Sequence, residues 1–406
     1  MSFFKNKVLY TIFSCLFIPI LVYAEDISLN GILQGYYFSS TRNLDQKRNI
    51  FSISFHPQIT TKFGSYLSLY SEARIIAENQ RESIHSSMRE IYSDIYLHPF
   101  NLRVGKQIIQ WGRADGVNPT DNLTPWDYTL LFPEDGDLRS GIMALKINYY
   151  YGNTAFTGIY LPFFESNKFP LNYPVIEELP SKSFQNGQYA FKIDSTGGVL
   201  DWSLSYFDGV DPMPDLGLST QGIIERYQRI KVIGGDFATI LREFGVRGEM
   251  AYFFTEDMDG DSPWKKNPYF FYIFGVDKTL WEDMYLNLQF MQRIVTNYKD
   301  PLNIQDSILR DIAVKGAIIN NQLDKVTNIV SLKIVDKMFY ETLSTEISGI
   351  YNLTRRDYLI RPKIIYTLTD NLSSIIGTDI YKGKEDSFFG LLKDNTTFFG
   401  GIKYGF

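Results

Sequence analysis

The sequence predicts an all-β chain: a closed, antiparallel, up-and-down transmembrane β-barrel of about eighteen strands, with sixteen as the alternative count. Three observations carry that prediction. The last stretch, 395–406, reads N-T-T-F-F-G-G-I-K-Y-G-F. Phe406, Tyr404, Ile402, Gly400 and Phe398 fall on one face, while Lys403, Gly401 and Thr397 fall on the other, with Phe399 as an apolar intruder. A strand that ends a chain with such an outer face needs an apolar neighbour, and lipid supplies one. Second, segments of about ten to fourteen residues alternate in polarity from Ile27 onward, with turn signals between them. Third, no apolar run beyond the amino terminus is long enough for a membrane helix, so a membrane form must be a closed barrel.

The amino terminus comes first. Lys5 and Lys7 precede an apolar run over 8–22, and Val22-Tyr23-Ala24 offers small residues at the two cleavage-recognition positions. This pattern predicts a secretory signal peptide over 1–24, cut after Ala24, and a barrel over 25–406. The single cysteine, Cys15, lies inside the leader. The mature chain then has no disulfide and no thiolate metal site. Net charge is −6 for the whole chain, and losing the two leader lysines makes it −8. An acidic exported chain argues against nucleic acid as a partner. The 31 Phe and 28 Tyr suit the aromatic girdles of a barrel.

Strands are expected to begin near residues 28, 49, 65, 88, 101, 139, 153, 187, 198, 224, 243, 268, 283, 326, 340, 357, 371 and 394. The pattern is clear in 284–295, where Leu286, Leu288, Phe290 and Ile294 alternate with Asn287, Gln289, Met291 and Arg293. Connections such as 63–65, 98–101, 151–154, 195–198, 241–245, 279–283 and 369–371 are tight. Those at 112–138, 163–186, 209–223, 255–267, 297–325 and 383–393 are long. Short turns at one end and long loops at the other are the barrel asymmetry, with the long loops extracellular and both termini periplasmic. Within 297–325, Ile304, Ile308, Leu309, Ile312, Val314, Ile318 and Ile319 form a partly helical pattern with Asp306 as N-cap. An extra hairpin is the competing reading.

Strand parity also sorts the lumen. Inward bases are expected to be Arg74, Arg103, Arg229, Lys231, Arg247, Arg293, Lys333, Arg361, Lys363 and Lys403. Inward acids are expected to be Glu72, Glu90, Asp94, Glu249, Asp277, Glu346 and Asp379. With Tyr92, Tyr96 and Gln289 this makes a mixed, slightly positive wall suited to hydrated solutes. The densest stretch is 102–127, L-R-V-G-K-Q-I-I-Q-W-G-R-A-D-G-V-N-P-T-D-N-L-T-P-W-D. Arg103, Gly105, Gln107 and Trp111 open it on one face. The loop that follows is expected to fold inward and narrow the pore, with Arg113, Asp115, Asp121 and Asp127 facing solute. The competing view makes Asn118-Pro119-Thr120-Asp121 a hydrogen-bonded turn that orders the loop.

The terminal Phe406, with Tyr404 and Ile402, resembles the assembly signal of Gram-negative outer-membrane barrels. The R-x-G-K-Q strand at 103–107, then W-G and N-P-x-D, resembles large barrels related to alginate-export-type channels. So do Y-T-L-T-D at 366–370, Y-K-G at 381–383 and S-F-F-G at 387–390. The arginine density of alginate exporters is absent. The resemblance implies an outer-membrane, porin-like channel for passive diffusion of small polar or weakly anionic solutes. A substrate-dedicated export or uptake channel, for a polysaccharide or a hydrophobic compound, is the alternative, as is a non-conducting barrel for adhesion or assembly. Implied partners are outer-membrane lipid and lipopolysaccharide, the barrel-assembly machinery and small solutes, in a homotrimer or a monomer.

No catalytic residue or cofactor is expected. The histidines are His56, His85 and His98, and no hydrolase motif surrounds His85-Ser86-Ser87. Asp257, Asp259 and Asp261 imitate a calcium loop, but Gly260 is misplaced and Pro268 stands where the bidentate Glu belongs. No metal site is therefore expected.

Overall fold

The computed structural model describes residues 26–40, 48–79, 84–130, 132–169, 175–220, 222–281 and 283–406. The expected leader, its cleavage point and Cys15 lie outside the described residues. Among the described residues twenty-one strands are formed: β1 (Asp26–Ser40), β2 (Asn49–Phe63), β3 (Leu67–Glu78), β4 (His85–Leu97), β5 (Phe100–Gln107), β6 (Ile142–Tyr151), β7 (Thr154–Leu161), β8 (Val175–Glu178), β9 (Gln188–Ser195), β10 (Leu200–Val210), β11 (Asp215–Ser219), β12 (Gly222–Arg226), β13 (Arg229–Leu241), β14 (Phe244–Phe254), β15 (Tyr269–Leu280), β16 (Met284–Val295), β17 (Val326–Met338), β18 (Leu343–Asn352), β19 (Asp357–Thr369), β20 (Leu372–Lys382) and β21 (Thr397–Gly405).

Eighteen of them form one antiparallel sheet in sequence order. It closes where β1 pairs β21, from Ile32 opposite Gly405 to Ser40 opposite Thr397. Phe406 completes the seam, exchanging backbone hydrogen bonds with Gly31 at 3.0 and 3.1 Å. Closure leaves no unpaired edge, the condition for strands to stand in lipid.

Period-two alternation fixes the two faces. In β16, Leu288 is 49% exposed and Gln289 2%. In β2, Phe51, Ile53 and Phe55 point out while Ser52, Ser54 and His56 are buried inside. An exposed apolar exterior continues around the barrel through Leu33, Met250, Phe274, Ile364 and Ile402. Such a surface is stable only against hydrocarbon, so the barrel is a transmembrane one.

The other three strands lie outside the barrel sheet. β8 runs parallel to β12 and β11 runs antiparallel to it, forming a small sheet among the long loops. The strand expected from 224 is therefore corrected: 222–226 belongs to this small sheet, and the barrel strand begins at Arg229. Helix α1 (Ser307–Ile319) occupies the loop where the helical pattern was read. Asp306 caps it, accepting from Ile308 N and Leu309 N at 2.9 Å each. Its Gly316 packs on Leu216 of β11.

Candidate functional site: a loop pinned inside the barrel

The connection 108–141 leaves β5 and turns into the lumen, where both walls hold it. On one side Ile109, Trp111 and Leu123 join an apolar cluster with Phe207, Ile230, Val232, Phe253 and Phe271. Leu130 and Phe132 reach a second cluster with Tyr36, Phe38, Ile50, Ile76 and Phe399. Phe399, the residue that interrupts the polar face of the last strand, thus packs inward against the loop.

Glu249 of β14 is the main anchor. It is 1% exposed and receives five donors from one stretch of loop. These are Arg113 N and Ala114 N at 3.2 Å each, Asn118 Nδ2 at 3.0 Å, and Thr120 N and Oγ1 at 2.8 Å each. A buried carboxylate without such donors would be strongly disfavoured. Gly112 makes the approach possible: its φ is +93°, and a Cβ would collide with Glu249 and lie 2.6 Å from Asn118 Nδ2.

The Arg113 guanidinium bridges two wall acids, Asp236 of β13 and Asp194 of β9, the latter at 2.8 Å. Burial works against its charge, but the two carboxylates outweigh this and hold its pKa above the usual arginine value. Ser203 Oγ donates to the second oxygen of Asp236 at 2.5 Å. Asp115 N donates to Gln289 Oε1 at 3.2 Å, and Gln289 Nε2 donates to Asp115 O at 2.7 Å.

On the opposite wall, Arg74 of β3 donates to Asp137 O at 2.5 Å. Arg89 of β4 donates to Gly136 O at 2.6 Å and to Glu72 at 3.0 Å. Glu90 accepts from Ile108 N at 2.7 Å, and Lys403 of β21 pairs with Glu134 at 2.6 Å. Inside the loop, Asp121 accepts from Trp111 N at 3.2 Å and pairs with Arg139 at 2.5 Å. Arg139 also lies 4.0 Å from the Trp126 ring centroid. Burial pushes the Asp121 carboxyl up to about 6, with Arg139 pulling the other way.

The sequence-expected site residues thus fall into two groups. Arg74, Glu90, Arg113, Asp115, Asp121, Glu249, Gln289 and Lys403 make the loop-to-wall and loop-internal contacts described above, Glu72 holds the wall arginine Arg89, and Gln107 and Trp111 are buried beside them. Arg293 donates to Asn320 O at 2.5 Å and stacks on Tyr269 and Phe271. Asp127, expected to face solute, pairs with Lys168 at 3.1 Å.

The second group pairs strand to strand on the inner wall. Arg103 meets Asp94 at 2.7 Å and Tyr92 at 3.9 Å to its ring. Arg247 meets Asp277 at 2.6 Å, Arg361 meets Asp379 at 2.5 Å and Lys363 meets Glu346 at 3.2 Å. Among the terminal residues, Phe406 stacks on Phe55 with ring centroids 5.9 Å apart, and Tyr404 and Ile402 face outward.

Two expected inward bases are corrected. In β13 the buried residues are Ile230, Val232 and Asp236, so Arg229 and Lys231 take the outer parity. Arg229 pairs with Asp208 at the rim at 2.6 Å. Asp194 and Asp236, which hold Arg113 of the loop, are residues the sequence reading missed. Their own strands carried the signal, since Asp236 stands two residues from Gly234 and four from Val232 on one face. The Asp257 carboxylate accepts the amides of Asp261 and Ser262, at 3.0 and 2.8 Å, so it closes a turn.

The architecture matches solved barrels. OccK1 (OpdK) of Pseudomonas aeruginosa superposes with a TM-score of 0.60 at 8% identity, covering 95% of this chain and 99% of that one. OccD3 (OpdP) of the same organism gives 0.58 at 10%, covering 95% and 92%. OccAB2 of Acinetobacter baumannii gives 0.58 at 11%, covering 95% and 98%. A structure of Pseudomonas aeruginosa OpdK with vanillate matches similarly, at 0.58 and 8% identity. No protein-family model and no curated protein matches the sequence. At these identities the likeness is one of fold.

Proposed function

We propose that the chain is an outer-membrane channel for small polar or weakly anionic solutes, narrowed at mid-height by loop 108–141. The observation that carries this reading is the loop itself. It is held across a closed transmembrane barrel by charged and polar side chains from opposite walls, Glu249 and Asp236 on one and Arg74, Arg89 and Lys403 on the other. Fixed polar groups at a narrow point set which solutes pass. The second group of residues, Arg103, Asp94, Arg247, Arg361, Asp379, Lys363 and Glu346, would line the hydrated path on either side. A barrel matched in fold, OpdK, was solved with vanillate, which agrees with a small-solute role.

Phe406, with Tyr404 and Ile402, would be read by the assembly machinery before the sheet closes. Deleting Phe406 should lower the amount in the outer membrane while assembled barrels keep normal conductance. Normal assembly of the deletion would remove this role. The channel reading is tested in planar bilayers. Discrete conductance steps, reduced by small carboxylates or polar solutes, are expected. Absence of any current would favour a non-conducting surface barrel.

A further inference from the structure

At the long-loop end, apart from the pinned loop, residues 260–267, parts of 298–322 and the start of β11 line an open cavity of about 650 Å³. That volume lies within the drug-sized range of pre-formed ligand sites. We propose that it is a binding site for a neutral carbohydrate.

The walls are already ordered. Asn267 exchanges backbone hydrogen bonds with the Gln322 amide at 2.9 Å each way and donates from Nδ2 to Asn297 O at 3.0 Å. Two half-buried aromatic rings, Trp264 and Tyr298, line the space. The Tyr298 hydroxyl donates to Leu323 O at 2.6 Å, which fixes its ring. Each lysine around the cavity is already committed to a carboxylate. Lys266 is buried and donates to Met213 O at 2.6 Å while pairing with Asp215 at 3.0 Å and Asp211 at 3.4 Å. Lys299 pairs with Asp261, and Lys265 with Glu256.

One carboxylate oxygen in the lining lacks a hydrogen bond. Asp215 is 3% exposed, and its Oδ2 has no hydrogen-bond partner among the described residues. The ligand must therefore bring a hydroxyl or similar donor, carry an apolar face for the aromatic rings, and bear no negative charge. A sugar meets all three requirements. A carboxylate would meet Asp215 unfavourably, because Lys266 is already committed.

This inference goes beyond the channel reading and does not depend on conduction. The full-length mature barrel in detergent would be titrated with maltose, sucrose and trehalose, and with gluconate and glucosamine as charged counterparts. At least one neutral sugar should give a saturable change in tryptophan emission that is absent in Trp264→Phe. Calorimetry on Trp264→Ala should show binding weaker by about tenfold or more. Heat-modifiable migration on gels checks that each variant is folded, and Trp264→Phe serves for affinity if Trp264→Ala does not fold. Lack of binding by all three neutral sugars overturns the proposal. So does wild-type affinity in the Trp264 variants, or tighter binding of gluconate or glucosamine. Because no current is read, these outcomes leave the channel test independent.

Discussion

Two sectors of the inner wall use the same residue types for different ends. Along β13, β14 and β16, acids and amides reach away from the sheet: Asp236, Glu249 and Gln289 bond to backbone and side chains of loop 108–141. Along β18, β19 and β20, charges pair with the neighbouring strand: Glu346 with Lys363, and Asp379 with Arg361. The first sector is dry, with Ile230, Val232 and Phe253 buried between the polar anchors. The second keeps its charged groups partly exposed. A charged wall residue is therefore a fastener where a loop covers it and a lining group where none does. Its identity alone does not decide which.

The difference can be broken at the fasteners. Glu249→Ala strands five donors at once, and each hydrogen bond to a charged acceptor is worth roughly 1.5–3 kcal/mol. The loop should leave the wall while the barrel stays closed. A cysteine at Asn122 should then react with aqueous thiol reagents much faster than in the parent. Unchanged labelling would show that Glu249 is not the anchor. Gly112→Ala acts on the same contact through its positive φ and the lost approach, and should release the loop to a smaller degree by the same labelling.

The lining sector should respond in another way. Arg361→Ala leaves the loop contacts intact, so labelling at Asn122 should not change. Reversal potentials should move toward cation preference, because one inner-wall positive charge is lost. Loop release in this variant would erase the distinction between the sectors.

The smallest effect concerns pH. Burial raises the Asp121 carboxyl to about 6 from an ordinary value near 3.8. The docked loop therefore binds this proton more tightly than the released loop does. Its contribution favours docking as pH falls through 6, and that gain is lost as pH rises above it. Loop labelling, divided at each pH by the rate of a free thiol, should be no faster at pH 5 than at pH 7.5. A faster normalised rate at pH 5 would mean that Asp121 holds the loop only when ionised.

Most of the hoop was legible in the sequence, because period-two alternation and turn spacing follow directly from strand geometry. The seam at Phe406, the cap at Asp306 and the faces of Leu288 and Gln289 are examples. The reading slipped at Arg229 and Lys231, where apolar residues were assigned to lipid. Ile230 and Val232 instead meet the inserted loop, which makes part of the interior as apolar as the exterior. Alternation tells which residues share a face, but not whether that face is wet. For the same reason Arg113 and Asp121 read as solute-facing, although Arg113 is taken up by distant wall acids and Asp121 by Arg139 within the loop. The small sheet of β8, β11 and β12 escaped because its strands are short and pair across long intervals.

Single-channel conductance shows whether loop 108–141 is what narrows this barrel. The parent would be compared with a chain in which 112–123 is replaced by a short glycine-serine linker, both verified as closed barrels by heat-modifiable migration. Discrete, small steps are expected in the parent and steps several-fold larger in the shortened chain. Equal conductance in the two would show that the loop does not narrow the pore.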